Sequence, residues 1–210
     1  MSNSMAQDWA NLNRYKDDNK KLIELGFTNK RVVFMGNSIT ESWLKLHPIY
    51  FSNKPYVNRG ISGQTTPQML LRFRQDVVDL NPATVVILAG INDIAENTGP
   101  ITIEMIASNI YSMVELAESN EIKVILCSVL PAKEFPWKKG AEPADKIVKL
   151  NQLIEEYAQK KSLKYINYYR LMVDEYKGLK KEFSNDGVHP TIKGYEVMES
   201  LLNEMLLKEL

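Results

Sequence analysis

Two kinds of hydrophobic spacing alternate along the chain. Short, nearly continuous apolar runs rich in valine and isoleucine fall at residues 31–35, 56–58, 84–89, 123–129 and 164–166. Turn residues bound most of them, as expected for parallel strands buried on both faces. Between them the apolar residues recur at helical intervals. Trp9, Leu12, Tyr15, Leu22 and Ile23 mark an N-terminal helix over about residues 8–25 that closes near Gly26. A second is predicted over residues 66–80, with Thr66 as N-cap and Pro67 at the first helical position. A third spans residues 103–119, with Ile106, Ile110, Met113, Val114 and Ala117 on one face. Residues 144–160 and 192–207 complete the set. Strands alternating with helices predict an α/β chain, a three-layer α/β/α sandwich around a five-stranded parallel sheet. No repeat or composition break divides it, so residues 1–210 read as a single domain.

Composition narrows the function classes. With 210 residues and 44% hydrophobic content the chain is large enough to bury a core without a disulfide or metal staple. Lys+Arg and Asp+Glu are equal at 26 each, so no net field draws it to nucleic acid or to an anionic membrane. No apolar run approaches the ~18 residues a membrane span needs, and residues 1–21 lack the apolar centre of a signal peptide. As written the chain reads as cytoplasmic, and as periplasmic or secreted if a leader preceded it. Nothing in it specifies an oligomeric state. Cys127 is the sole cysteine, which excludes an internal disulfide; inside an apolar run it reads as a buried core thiol.

Histidine is scarce, with only His47 and His189 to serve any imidazole chemistry. His189 sits three residues after Asp186, in a loop before the last helix, so one turn can bring the carboxylate against the ring and fix its tautomer. His47 has no acid nearby in sequence and reads as a helix-end or packing residue. The first strand runs into Gly36-Asn37-Ser38, where Gly36 permits a sharp turn that lifts Ser38 to the sheet's carboxyl edge. Ser38 is either a nucleophile there or a helix N-cap. Glycine-containing turns follow the second and third strands, offering the Gly63 N–H and the Asn92 amide as donors to an oxyanion. The proline-rich loop at residues 131–143 carries Phe135 and Trp137, either as one wall of a substrate pocket or as a plug on the sheet edge. There is no HExxH, no paired histidine and no acidic cluster, so no metal is expected.

At these blocks, Gly36-Asn37-Ser38-Ile39-Thr40, Gly60-Ile61-Ser62-Gly63, Gly90-Ile91-Asn92-Asp93 and Asp186-Gly187-Val188-His189-Pro190, the chain resembles the SGNH hydrolases, the GDSL-like lipase/esterase family. The resemblance spans about residues 31–205 and implies a flavodoxin-like sheet. It also implies Ser38 as nucleophile, His189 and Asp186 as its triad partners, and Ser38, Gly63 and Asn92 as the oxyanion hole. The family's usual Asp before the serine is Asn37 here. The nearest likeness is to the acetylhydrolase branch, with its platelet-activating-factor acetylhydrolase-like proteins and carbohydrate acetylesterases. That implies a serine esterase acting without cofactor on a small-molecule ester of short acyl chain, such as an acetylated sugar, with Asn37, Phe135 and Trp137 as expected substrate contacts. Lysophospholipase, thioesterase or acyltransferase activity would use the same site. From other classes, a flavodoxin-like FMN binder would cradle phosphate with Asn37, Ser38 and Thr40, and a non-catalytic carbohydrate binder would use Trp137 as a platform.

Overall fold

In the computed structural model, which describes residues 8–26, 28 and 30–207, five strands form one parallel sheet: β1 (Val32–Gly36), β2 (Tyr56–Gly60), β3 (Thr84–Leu88), β4 (Lys123–Cys127) and β5 (Lys164–Ile166). Their spatial order is β2-β1-β3-β4-β5, as the flavodoxin-like expectation requires. All residues of β1 and β3 are buried, which is why the strand runs are apolar throughout instead of alternating. The two ends of the expected 1–210 domain, residues 1–7 and 208–210, lie outside the described residues.

Helices cover both faces. On one side α4 (Thr66–Asp76), α6 (Ile103–Glu118) and α7 (Pro143–Lys160) pack in succession. The apolar stripe of α6 (Ile106, Ile110, Met113, Val114, Ala117) turns inward, and the Thr102 hydroxyl caps its start by accepting the Met105 N–H at 3.2 Å. On the other side lie α2 (Ser38–Leu46), the single turn α3 (Pro48–Phe51), α8 (Tyr168–Met172) and α9 (Ile192–Leu207). A buried aromatic cluster joins them to the sheet. Phe34 of β1 meets Trp43 edge-on at 5.7 Å, and Trp43 stacks on Tyr195 of α9 at 5.5 Å. The Tyr195 hydroxyl donates to the Ile39 carbonyl at 2.8 Å and the Trp43 indole to the Glu199 carboxylate at 2.8 Å. These contacts clamp α2 to α9. No helix among the described residues is long and apolar enough to cross a membrane.

Beyond shifts of one or two residues at strand ends, predictions change at the N-terminal helix and around α4. The N-terminal helix, α1, runs only from Lys16 to Glu24. Before it the Asp8 carboxylate accepts the N–H groups of Leu12 and Asn13 at 2.7 and 3.0 Å, and Asn11 takes a left-handed φ of 55°. That local bonding competes with helix, so Trp9 and Leu12 stay largely exposed. The N-cap of α4 is Thr65, one residue earlier than predicted, and the Gln68 amide oxygen accepts its N–H at 3.1 Å. Finally, α4 stops at Asp76, and residues Val78–Leu80 form a separate 3-10 turn.

Candidate active site

β1, β2 and β3 end level, with Gly36 paired to both Gly60 and Leu88. The segments that follow them therefore leave the sheet side by side. The strand order reverses between β1 and β3, because β2 lies beyond one edge of β1 and all later strands beyond the other. The crevice at such a switch point is where open α/β sheets bind ligands.

Gly36 turns out to be required for space, not for an unusual dihedral. A Cβ there would lie 2.0 Å from the Thr40 hydroxyl oxygen. Asn37 is the N-cap of α2, its side-chain oxygen accepting the Ile39 N–H at 3.0 Å. The capping role considered for Ser38 thus belongs to its neighbour, and the Ser38 hydroxyl is left for other partners. Its Oγ lies 2.9 Å from His189 Nε2, and His189 Nδ1 lies 2.7 Å from Asp186 Oδ2.

The turn carrying the imidazole is held by the same carboxylate. Asp186 Oδ1 accepts the N–H groups of Val188 and His189 at 2.9 and 2.7 Å, and the Ser184 hydroxyl donates to the His189 carbonyl at 2.8 Å. Burial by itself would raise the Asp186 carboxyl. The His189 N–H, the imidazole and the Val188 N–H outweigh it and hold the group down to about 2. An ionised carboxylate only accepts, so Nδ1 carries the ring proton and the Nε2 lone pair faces Ser38.

The expected donors lie in the segments that follow β2 and β3. Gly63 has a left-handed φ of 78°, which favours glycine. Among the described residues no protein acceptor takes the N–H of Gly63 or of Ser38. Asn92, in the single turn α5 (Ile91–Ile94), gives one amide hydrogen to the Gln64 carbonyl at 3.0 Å. Its second is free of that bond. The structure thus brings Ser38, His189 and Asp186 into one hydrogen-bonded line and joins the Gly63 and Asn92 segments through Gln64.

The expected substrate contacts divide. Asn37 and Phe135 are each 1% exposed and present no surface to a ligand. Trp137 is 47% exposed, stacked on Phe135 at 5.2 Å, with its ring centroid 6.0 Å from that of His189. Phe135 is thus buried as the plug reading expects, while Trp137 stands partly exposed near His189. Lys138 anchors the loop through the Glu96 carboxylate at 2.6 Å and the Ala95 carbonyl at 2.9 Å. On another side of His189 a groove of about 550 Å³ is lined by Leu46, Pro190 and Ile192 among others.

Away from the line, His47 meets the Glu199 carboxylate of α9 at 2.7 Å, which makes it a packing residue at the end of α2. Burial pushes the Cys127 thiol up to about 12, so it stays a neutral core group.

Asp93, Gln64 and Arg72 carry no local sequence signal of a role at this site. Asp93 is buried beside Asn92 and accepts the Thr66 N–H at 2.9 Å and the Thr66 hydroxyl at 2.6 Å, tying α5 to the start of α4. Burial raises it to about 6 in spite of the Thr66 bonds. Its folded value lies above the ordinary 3.8, so it supports the fold fully below about pH 4, and that support is lost as pH rises through about 6. The span corresponds to something on the order of 3 kcal/mol. Asp93→Asn is therefore expected to gain stability relative to the wild type as pH goes from 4 to 8. Thermal unfolding at both pH values checks this, and a pH-independent difference would refute it.

A family model described as the GDSL-like lipase/acylhydrolase family matches residues 34–197. Two solved structures align over nearly the whole chain. A GDSL-like lipase from Bacteroides thetaiotaomicron VPI-5482 is 51% identical, covering 96% of this chain and 99% of that one, with a TM-score of 0.92. A candidate acylhydrolase from Bacteroides fragilis NCTC 9343 is 49% identical over 97% and 99%, with a TM-score of 0.94. The Bacillus subtilis (strain 168) protein called uncharacterized lipoprotein YqeF is 34% identical over 85 residues, 39% of this chain and only 35% of its own length.

Proposed function

The chain belongs to the GDSL-like lipase/acylhydrolase family and is an ester-hydrolysing enzyme; from that premise we propose that Ser38 is its nucleophile, His189 its general base and Asp186 the group that orients the base. The carrying observation is the unbroken line from Ser38 Oγ through the imidazole to Asp186, at 2.9 and 2.7 Å. His189 Nε2 takes the hydroxyl proton as Ser38 Oγ attacks the ester carbonyl. The carbonyl oxygen becomes an oxyanion, held by the N–H groups of Ser38 and Gly63 and by the Asn92 amide. Collapse expels the alcohol, which takes its proton from His189 Nε2, and Ser38 keeps the acyl group. Water then adds by the same route and releases the acid.

The substrate we favour is a short acyl ester, simplest as acetyl, of a polar alcohol such as a sugar. Trp137 supports this, since an indole face half open beside the base suits stacking of a sugar ring. A second reading, a longer alkyl or acyl chain as in lysophospholipids, has the Leu46–Pro190–Ile192 groove in its favour. A series of p-nitrophenyl esters from acetate to palmitate separates them. We expect kcat/KM to be highest at acetate or butyrate and to fall by about tenfold or more at long chains, of the order a few lost apolar contacts allow. Fastest turnover of the long chains would overturn the first reading in favour of the second.

A further inference from the structure

Arg72 is 0% exposed, a guanidinium enclosed in the core on the inner face of α4, beside Met69 and Phe73. Burying such a charge is costly and calls for an acceptor for each donor face. One is met within the helix, where Nη1 donates to Asp76 Oδ2 at 2.9 Å, four residues on. The other two leave it. Nη2 donates to the Gly36 carbonyl at 3.0 Å, and Nε donates to the Gln64 side-chain oxygen at 2.5 Å. Gly36 ends β1, two residues before Ser38. The same carbonyl also accepts the Ile61 N–H at 3.2 Å, at the entrance to the Gly63 loop.

Gln64 is the second hub. Its side-chain amide donates to the Ala10 carbonyl at 2.7 Å, and its backbone carbonyl receives the Asn92 amide at 3.0 Å. It directly follows Gly63. One planar fork therefore reaches the strand end that presents the serine and the residue linking both other oxyanion donors. Charge neutralisation alone would need only Asp76.

We propose that Arg72, acting through Gln64, is a positioning residue of the oxyanion hole, setting the Ser38 and Gly63 N–H groups and the Asn92 amide on a common centre. The inference rests on the roles proposed above for those three residues. It implies that the guanidinium's shape matters as well as its charge, because an ammonium at position 72 cannot serve three acceptors in one plane.

The test compares Arg72→Met, Arg72→Lys, Gln64→Met and Asp76→Asn with the wild type. Turnover of p-nitrophenyl acetate is expressed per active site, and sites are counted by stoichiometric fluorophosphonate labelling of Ser38. A misplacement of about 1 Å can cost about 100-fold in rate. Arg72→Met is therefore expected to lower kcat per labelled site by roughly 30- to 100-fold with KM changed less than about twofold, and Arg72→Lys to recover part of it. Gln64→Met, which leaves the ion pair in place, should lose about tenfold, and Asp76→Asn less than about threefold. A purely structural role would reduce the number of labelled sites and leave kcat per site unchanged. That result in the Arg72 and Gln64 variants overturns the proposal. Should the Arg72 variants fail to fold, Gln64→Met decides alone. A wild-type protein that neither labels nor hydrolyses the ester would instead sink the esterase reading itself.

Discussion

Alanine at position 38 is expected to cut p-nitrophenyl acetate turnover by about 10⁴- to 10⁶-fold while leaving the fold intact. Among the described residues the hydroxyl makes one hydrogen bond, to His189 Nε2, and Asn37 supplies the helix cap, so the protein loses little when it goes. His189→Ala should fall to the same floor, since a base without a nucleophile and a nucleophile without a base are equally idle. The double variant should then be no slower than either single one. Such non-additivity marks groups that act as a unit. Initial rates of the two single variants and the double variant, with fluorophosphonate labelling of each, check this. A Ser38→Ala protein that keeps wild-type rate would remove the nucleophile assignment.

The second large effect is expected from Asp186→Asn, and its direction follows from which oxygen bonds to what. Oδ1 accepts the N–H groups of Val188 and His189. An asparagine must keep its oxygen there, which turns its NH₂ group toward His189 Nδ1, 2.7 Å from the present Oδ2. Two donors cannot face each other, so Nδ1 loses its proton and Nε2 gains one. The ring then presents N–H to Ser38 and cannot accept. A fall of roughly 10⁴-fold in kcat is expected, with KM little changed. Because the carboxyl is held down to about 2, the stability it gives is full above about pH 4 and is lost as pH falls toward 2. The variant's melting temperature should trail the wild type's in neutral buffer and converge with it in acid. A variant with near-normal kcat would mean that the tautomer is set by something other than Asp186.

The parts of this site that could be read in advance are those written locally. The strand runs and the three-residue spacing of Asp186 and His189 are short-range signals, and the structure carries both. Local reading failed where side chains competed with a pattern. At the N-terminus, Trp9, Leu12 and Tyr15 keep helical spacing, yet the Asp8 carboxylate takes the N–H groups a helix would need. Long-range partners could not be read at all. His47 finds its carboxylate 152 residues away, and nothing near it in sequence announces Glu199. Arg72 did leave a trace, a charged residue on the apolar face of α4 between Met69 and Phe73. Its acceptors come from β1 and the Gly63 loop, and pairing those segments requires the strand order.

The clamp between α2 and α9 bears on when this enzyme can become active. Ser38 and His189 are 151 residues apart, and they meet because Trp43 stacks on Tyr195 and donates to Glu199. A chain that ends before α9 would still carry Ser38, Gly63, Asn92 and His189, but without the clamp that ties α2 to the helix following the imidazole turn. On the roles proposed for Ser38 and His189, removing α9 is therefore expected to uncouple the serine from its base.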